Sequence, residues 1–360
     1  MFVALRDLRF ARGRFMLIGS VVALITILVG FLSGLTGGLA AQNVSAVLSV
    51  PADRLVFSGA PVGADAADAQ PSFADSEVTA ADAQAWAAID GVSAVQPIGI
   101  SQTRAEADGA TSSIALFGEL PGSGEGAPSR DGMLVLPRTV ADDLSVSAGD
   151  GVRIGGAEYT VESIGDDRWY SHTPVVGMSL DDWQDFAAAT GDPGAFATVL
   201  AVSGGADWEA AAAATGTQST SILGSLLALS AFKSEIGSLL LMVAMLFGIS
   251  ALVIGAFFTV WTMQRSADIA VLKALGASTR SLVRDSLGQA LVVLVAGIGI
   301  GLLVVWGLGA LAGTALPFLL SPITTLLPGV LMAVVGLAGA AFALRSVTAA
   351  DPLTALGSNR

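Results

Sequence analysis

Long apolar blocks and one long polar block divide this chain. No charged residue occurs from Phe15 through Pro51. A polar, acidic stretch then runs to about residue 228, and three further apolar blocks extend to residue 344. About 20 apolar residues in a helix cross the hydrocarbon of a bilayer. The pattern predicts four transmembrane helices, at residues 15–40, 232–261, 286–311 and 323–344. One large domain, residues 41–228, is inserted between the first and second. The expected fold class is an α-helical membrane protein with four transmembrane helices and an α+β extracellular domain. The first apolar block is 26 residues long. The apolar region of a secretory signal is about 7–15 residues, so the block reads as a span.

Within the polar block the period shortens. Arg54–Phe57, Ile114–Phe117, Val152–Ile154, Tyr159–Val161 and Thr198–Val202 read as short strands bounded by Gly, Pro and Asp. Residues 80–89 and 180–189 read as helices, the second opening on Asp181 and Asp182. Residues 122–126 read as a loop.

Composition agrees with a membrane protein: 53% of residues are hydrophobic and 13% charged. The absence of cysteine excludes disulfides and thiolate chemistry. Charge is sorted along the chain. Residues 41–228 hold 25 acidic and 6 basic side chains, a net −19, while the rest holds 5 acidic and 11 basic. A domain this acidic repels phosphate backbones, which argues against nucleic acid as a partner. Arg6, Arg9, Arg12 and Arg14 precede the first span, Arg265, Lys273, Arg280 and Arg284 separate the second from the third, and Arg345 follows the fourth. With four spans these all fall on one side. By the positive-inside rule that side is cytoplasmic. The expectation is a multi-pass protein of the plasma membrane with both termini inside and the acidic domain outside.

No catalytic constellation emerges. His172 is the single histidine, and the carboxylates lack metal-loop spacing. A P-loop needs a Gly-rich turn ending in Gly-Lys-Ser/Thr. The two lysines, Lys233 and Lys273, have no such setting. The spans hold almost no ionisable residues, which disfavours a proton relay. The chain reads as a non-enzymatic subunit, with ATP bound and hydrolysed by a separate ATPase.

The segment 262–285 suits such a partner. Ile269, Leu272 and Leu275 share one face of a short amphipathic helix that Gly276 can end. The run Gln264-Arg-Ser-Ala-Asp-Ile-Ala-Val-Leu-Lys-Ala-Leu-Gly-Ala-Ser278 resembles the coupling segment of the MacB/FtsX-type, or type VII, ABC permeases. Arg345 and the Ala350-Asp-Pro-Leu-Thr-Ala-Leu356 run resemble the C-terminal signature of that family. Leu5-Arg-Asp-Leu-Arg9 resembles its cytoplasmic N-terminal helix, here residues 1–14. The resemblance implies a homodimer on two ATPase subunits, mechanotransmission by the outer domains, and a cytoplasmic tail over 345–360. Gly30, Gly34 and Gly38 lie at small-xxx-small spacing in the first span. They fit a seam with a second copy or packing within one chain.

Glu235 stands at the outer end of the second span, and Lys233 lies two residues away. From Glu235 to Trp261 a helix extends about 39 Å at about 1.5 Å per residue, which puts Glu235 near the outer headgroup boundary. Phe232, Leu239 and Met242 share its helix face. Phe31, Leu32 and Leu35 lie at comparable depth on the first span. The chain as a whole is also similar to the permease subunits of Gram-positive haem exporters, the HrtB group. That likeness implies haem as the transported substrate, taken from the outer leaflet and expelled by dimer closure, with no intrinsic cofactor. Haem iron accepts an oxygen or nitrogen ligand. Glu235 is then the candidate iron ligand in an apolar wall, Met242 a weaker one, and His172, Tyr159 and Tyr170 candidates in the outer domain. Two other functions fit the same family pattern: a non-transporting relay that regulates a cell-wall hydrolase, and export of a peptide, macrolide or lipoprotein.

Overall fold

The computed structural model describes residues 12–59, 70–124, 126–264, 271, 278–313 and 316–348. The chain forms two compact units: residues up to Gly38 together with those from Ser238 onwards, and Leu39–Gly237.

Four helices are long and apolar enough to cross a membrane among the described residues. They are α1 (Arg12–Leu48), α7 (Ser230–Gln264), α8 (Thr279–Ala312) and α9 (Pro322–Thr348). The expected four spans are present. α1 runs eight residues past its expected end at residue 40, because Ala41–Leu48 contains no helix breaker and Pro51 comes only afterwards. Ser278 caps α8 by accepting from the Ser281 N–H. Ser321 and Thr324 cap α9 reciprocally, with Pro322 at the first helical position, where its missing N–H does no harm. Inside the membrane unit, Val22, Ile254, Phe258, Leu294, Ile298 and Met332 form a buried core.

The second unit is the α+β domain. Its elements are β1 (Arg54–Phe57), α2 (Ala80–Ala87), β2 (Val92–Ala107), β3 (Ala110–Glu119), β4 (Met133–Pro137), α3 (Arg138–Leu144), β5 (Gly151–Ile154), β6 (Ala157–Gly165), β7 (Trp169–Tyr170), β8 (Thr173–Ser179), α4 (Leu180–Ala189), β9 (Val199–Gly204), α5 (Trp208–Thr215), β10 (Gln218–Ser221) and the short α6 (Ile222–Ser225). Each strand expected from sequence overlaps a strand, with Thr198 just outside β9, and α4 has the expected bounds.

The strands run in the order β10-β1-β9-β2-β3-β8-β4-β6-β5, and β5 pairs back onto β2. The six strands β2, β3, β8, β4, β6 and β5 therefore close on themselves, leaving β9, β1 and β10 as a wing on the first half of β2. The 16-residue β2 belongs to both parts. It pairs with β9 through residues 92–98 and with β3 through residues 99–107. Sequence reasoning missed β2, because Pro97 and Gly99 interrupt its pattern. Pro97 lies in the stretch facing Leu200. Gly99 faces Gly118 across the ladder, and the Trp183 ring of α4 lies where either glycine would carry a Cβ. Inside the closed part pack Ile114, Leu116, Leu134, Leu136, Val161 and Met178. A separate core holds Phe57, Phe73, Phe117 and Tyr170, the four rings meeting edge to face.

Candidate functional site

Glu235 does not sit alone. Its Oε2 lies 2.8 Å from Nε2 of His172 and 3.1 Å from Nδ2 of Asn43. All three residues belong to the Leu39–Gly237 unit, although 192 positions separate Asn43 from Glu235.

Each side chain is placed by a different local device. Asn43 stands on the part of α1 that outlasts the expected span, and it is fully buried. Glu235 is in the second turn of α7. His172 is at the tip of the β7–β8 hairpin. Tyr170 pairs with Thr173, so Ser171 and His172 form a two-residue loop, and both have positive φ, 49° and 63°. Two successive residues of positive φ define the I′ turn, whose twist matches a hairpin. Neither residue is the Gly or Asn that turn favours, so the conformation is held by its contacts. The Ser171 N–H donates to the Asn43 carbonyl at 2.9 Å, and the His172 N–H to the Gln42 carbonyl at 3.0 Å. The Trp169 N–H donates to Ser45 Oγ at 2.9 Å. The hairpin is thus clamped onto α1 at Gln42, Asn43 and Ser45.

The hydrogen bonding has one consistent reading. An ionised carboxylate only accepts, so both Asn43 Nδ2 and His172 Nε2 donate to Glu235. The 3.3 Å approach between Asn43 Nδ2 and His172 Nε2 then brings two donors side by side on one carboxylate oxygen. The Oδ1 of Asn43 is buried and accepts no hydrogen bond among the described residues. Side-chain exposure is 38% for His172 and 29% for Glu235, so the pair is reachable from outside while Asn43 is not.

The expected apolar wall is placed differently. Phe232 packs against the aromatic core of the outer domain, beside Leu226 and Leu229. Leu239 and Met242 fall in the membrane unit, Leu239 half-buried and Met242 exposed. The Phe31 ring lies 4.8 Å from that of Phe318, tilted by 47°, and Leu32 and Leu35 are half-buried on α1. The immediate neighbours of Glu235 that the outer unit supplies are polar. Tyr159 and Tyr170, named as alternative ligands, are buried in two different cores. Burial pushes both phenols above their ordinary range, Tyr159 further through the nearby carboxylates of Asp182 and Asp185.

The glycine stripe has neighbours within the chain. Cβ atoms added at Gly30, Gly34 and Gly38 would meet Val305, the Phe318 ring and the Pro317 carbonyl respectively. The Leu319 N–H also donates to the Gly34 carbonyl at 3.0 Å. α8 and the connection to α9 face the stripe, so these glycines pack within the chain. The coupling residues Ile269, Leu272, Leu275 and Gly276 lie outside the described residues, as do segments 1–11 and 349–360.

Sequence reasoning left His172 apart from Glu235 and passed over Asn43. The available signal was slight: an Asn just beyond an apolar block, and a His in a turn between two strands.

Among the described residues, four helices are long and apolar enough to span a membrane, with one α+β domain between the first two. Residues 220–352 match the family model described as FtsX-like permease C-terminal. A protein of Staphylococcus haemolyticus described as a hemin transport system permease, HrtB, is 26% identical over 361 residues, covering 99% of each chain. An uncharacterized ABC transporter permease of Mycobacterium tuberculosis is 24% identical over 376 residues, again covering 99% of each. The periplasmic region of MacB from Actinobacillus actinomycetemcomitans aligns to 49% of this chain and 94% of its own, at 11% identity and a TM-score of 0.36, too loose a likeness to bear on the assignment. Residues 220–352 thus match an FtsX-like permease C-terminal region, and over its full length the chain is similar to ABC-transporter permease subunits. Such a subunit works with an ATPase partner.

Proposed function

We propose that this permease exports haem, and that Glu235 binds the iron while His172 and Asn43 hold its carboxylate in place. The observation that carries the reading is the three-residue cluster itself. A carboxylate that receives hydrogen bonds from two fixed side chains is oriented before a metal arrives, as outer-shell partners orient ligands in metal sites generally. One of its two oxygens, Oε2, takes both bonds. Imidazole is a common ligand of haem iron, so His172 could take the iron in place of Glu235 only by giving up its bond to Oε2. The relatives described as hemin permeases support the substrate.

The rest of the reading follows the family pattern. The acidic domain lies outside, both termini lie in the cytoplasm, and two permeases associate over two ATPase subunits. The segment around Ile269, Leu272, Leu275 and Gly276 docks on the ATPase. ATP binding closes the dimer and drives haem from the outer leaflet.

The test is a haem titration of full-length permease, followed by the Soret band, for wild type, Glu235→Ala and His172→Ala. Wild type should saturate. Glu235→Ala should lose the shifted band, and His172→Ala should keep binding with a changed band position and weaker affinity. Saturation unchanged in both variants would remove the site. No saturable band in wild type would remove haem as the substrate and leave the relay or the export of another compound.

A further inference from the structure

A second candidate site lies in the outer domain and shares no residue with the Glu235 cluster. A cleft of about 830 Å³ opens there, over Ile98 of β2, Val135 of β4 and Val175 of β8, with Leu120 at one wall. Small-ligand sites occupy about 300–1,000 Å³. The three valine and isoleucine side chains are buried, so the floor is solid.

Glu119, the last residue of β3, lines this cleft with its side chain 13% exposed. Among the described residues its cationic partner is Arg168, whose Nη1 is 3.9 Å from Oε1, beyond hydrogen-bond range. Burial pushes the Glu119 carboxyl above its ordinary range, and the pull of Arg168 offsets this only in part. Buried polar groups ordinarily find a partner. This one makes no hydrogen bond among the described residues, in a cleft that Arg138, Asp166 and Arg168 also line. Arg168 is itself walled in: its guanidinium lies against Gly126, where any Cβ would collide with it. The loop carrying Gly126 is seated in turn, its carbonyl pressed on Gly177 of β8. The wall of the cleft is therefore fixed by two glycines.

What would complete the site is a cation with hydrogen-bond donors, carried on an apolar body that covers Ile98, Val135 and Val175. The net charge of −19 over residues 41–228 attracts cations to this domain and repels anions. We propose that the cleft binds a cationic amphiphile, a primary ammonium or guanidinium on an apolar body, with Glu119 as its anchor. The site is independent of haem. Small organic amines and lysine-bearing peptides both carry this chemistry.

Isothermal titration calorimetry on the full-length permease in zwitterionic nanodiscs tests the site, with empty nanodiscs as reference. The probes are 4-phenylbutylamine and a lysine–leucine tetrapeptide amide, each against its uncharged analogue. At least one charged probe should bind saturably and its neutral analogue should not. The probe that binds identifies the source. Glu119→Gln should weaken binding about tenfold, as loss of a hydrogen bond to a charged group does. Arg168→Gln should strengthen it by removing a competing cation. Glu209→Gln, the same charge change at an exposed position of α5 outside the cleft, should leave it within about twofold, as a screened surface charge does. Glu235→Ala should bind like wild type. Equal losses in Glu119→Gln and Glu209→Gln would reduce the effect to general electrostatics and overturn the site. So would the absence of saturable binding by either charged probe.

Discussion

The outer domain and the membrane unit solve packing in opposite ways. In the outer domain large side chains fill space: Trp86, Phe57, Phe117 and Met178 are among the largest fully buried residues. In the membrane unit small residues remove obstacles. Gly38 admits the Pro317 carbonyl, Gly34 the Phe318 ring, and Gly301 the backbone of Ala23 with the Thr26 side chain. The difference follows from the surroundings. Burying a large apolar surface out of water stabilises a domain in proportion to area. Between helices in lipid that driving force is absent, and close approach supplies contact instead. Substitutions of opposite kind should therefore damage the two units.

The largest effect is expected at Trp86, which is fully buried, donates from Nε1 to Thr217 at 3.0 Å and stacks on Trp208. Trp86→Ala should destabilise the outer domain by about 3–5 kcal/mol, read as an early unfolding transition of the full-length protein. A wild-type transition would show that the wing is not built on this ring. Next comes Gly38→Leu, which forces a side chain into the Pro317–Phe318 backbone. Overpacking costs about 1–3 kcal/mol in ordinary cores, and a backbone obstacle places this variant at the upper end. The readout is the melting temperature in detergent. Full retention would return the stripe to the role of an interchain seam.

Thr79→Ala probes the outer domain more gently. Thr79 and Asp82 form a reciprocal capping box on α2, and its loss should cost about 1 kcal/mol, measured by chemical denaturation. An unchanged midpoint would mean that α2 is held by Trp86 alone. The smallest effect is a slope. Glu119 has a raised pKa through burial, so the folded state holds its proton more tightly than the unfolded chain. Its contribution to stability is present below the unfolded pKa and is lost as pH rises through the raised folded value. Glu119→Gln should flatten that part of the stability–pH profile. Identical profiles for variant and wild type would mean that the carboxyl is solvated.

Much of the architecture was legible in the sequence because it is written locally. A span is a run of apolar residues, and a half-buried strand is an alternation. α4 could be bounded to the residue because Asp181 and Asp182 mark its first turn. β2 was illegible for the converse reason. Pro97 and Gly99 look like breakers until β9 and the Trp183 ring are placed against them.

The candidate site divides in the same way. By itself the sequence determined four spans, an acidic domain between the first two, and a carboxylate at the outer end of the second. Each is a property of neighbouring residues. The tertiary structure alone decided that β2 closes a six-stranded ring, that the Gly30–Gly38 stripe is filled from within the chain, and that Asn43, His172 and Glu235 share one oxygen. Those facts depend on contacts between residues far apart in the chain. No local period encodes such contacts, because they are settled only when backbones pack and a turn is clamped to a helix.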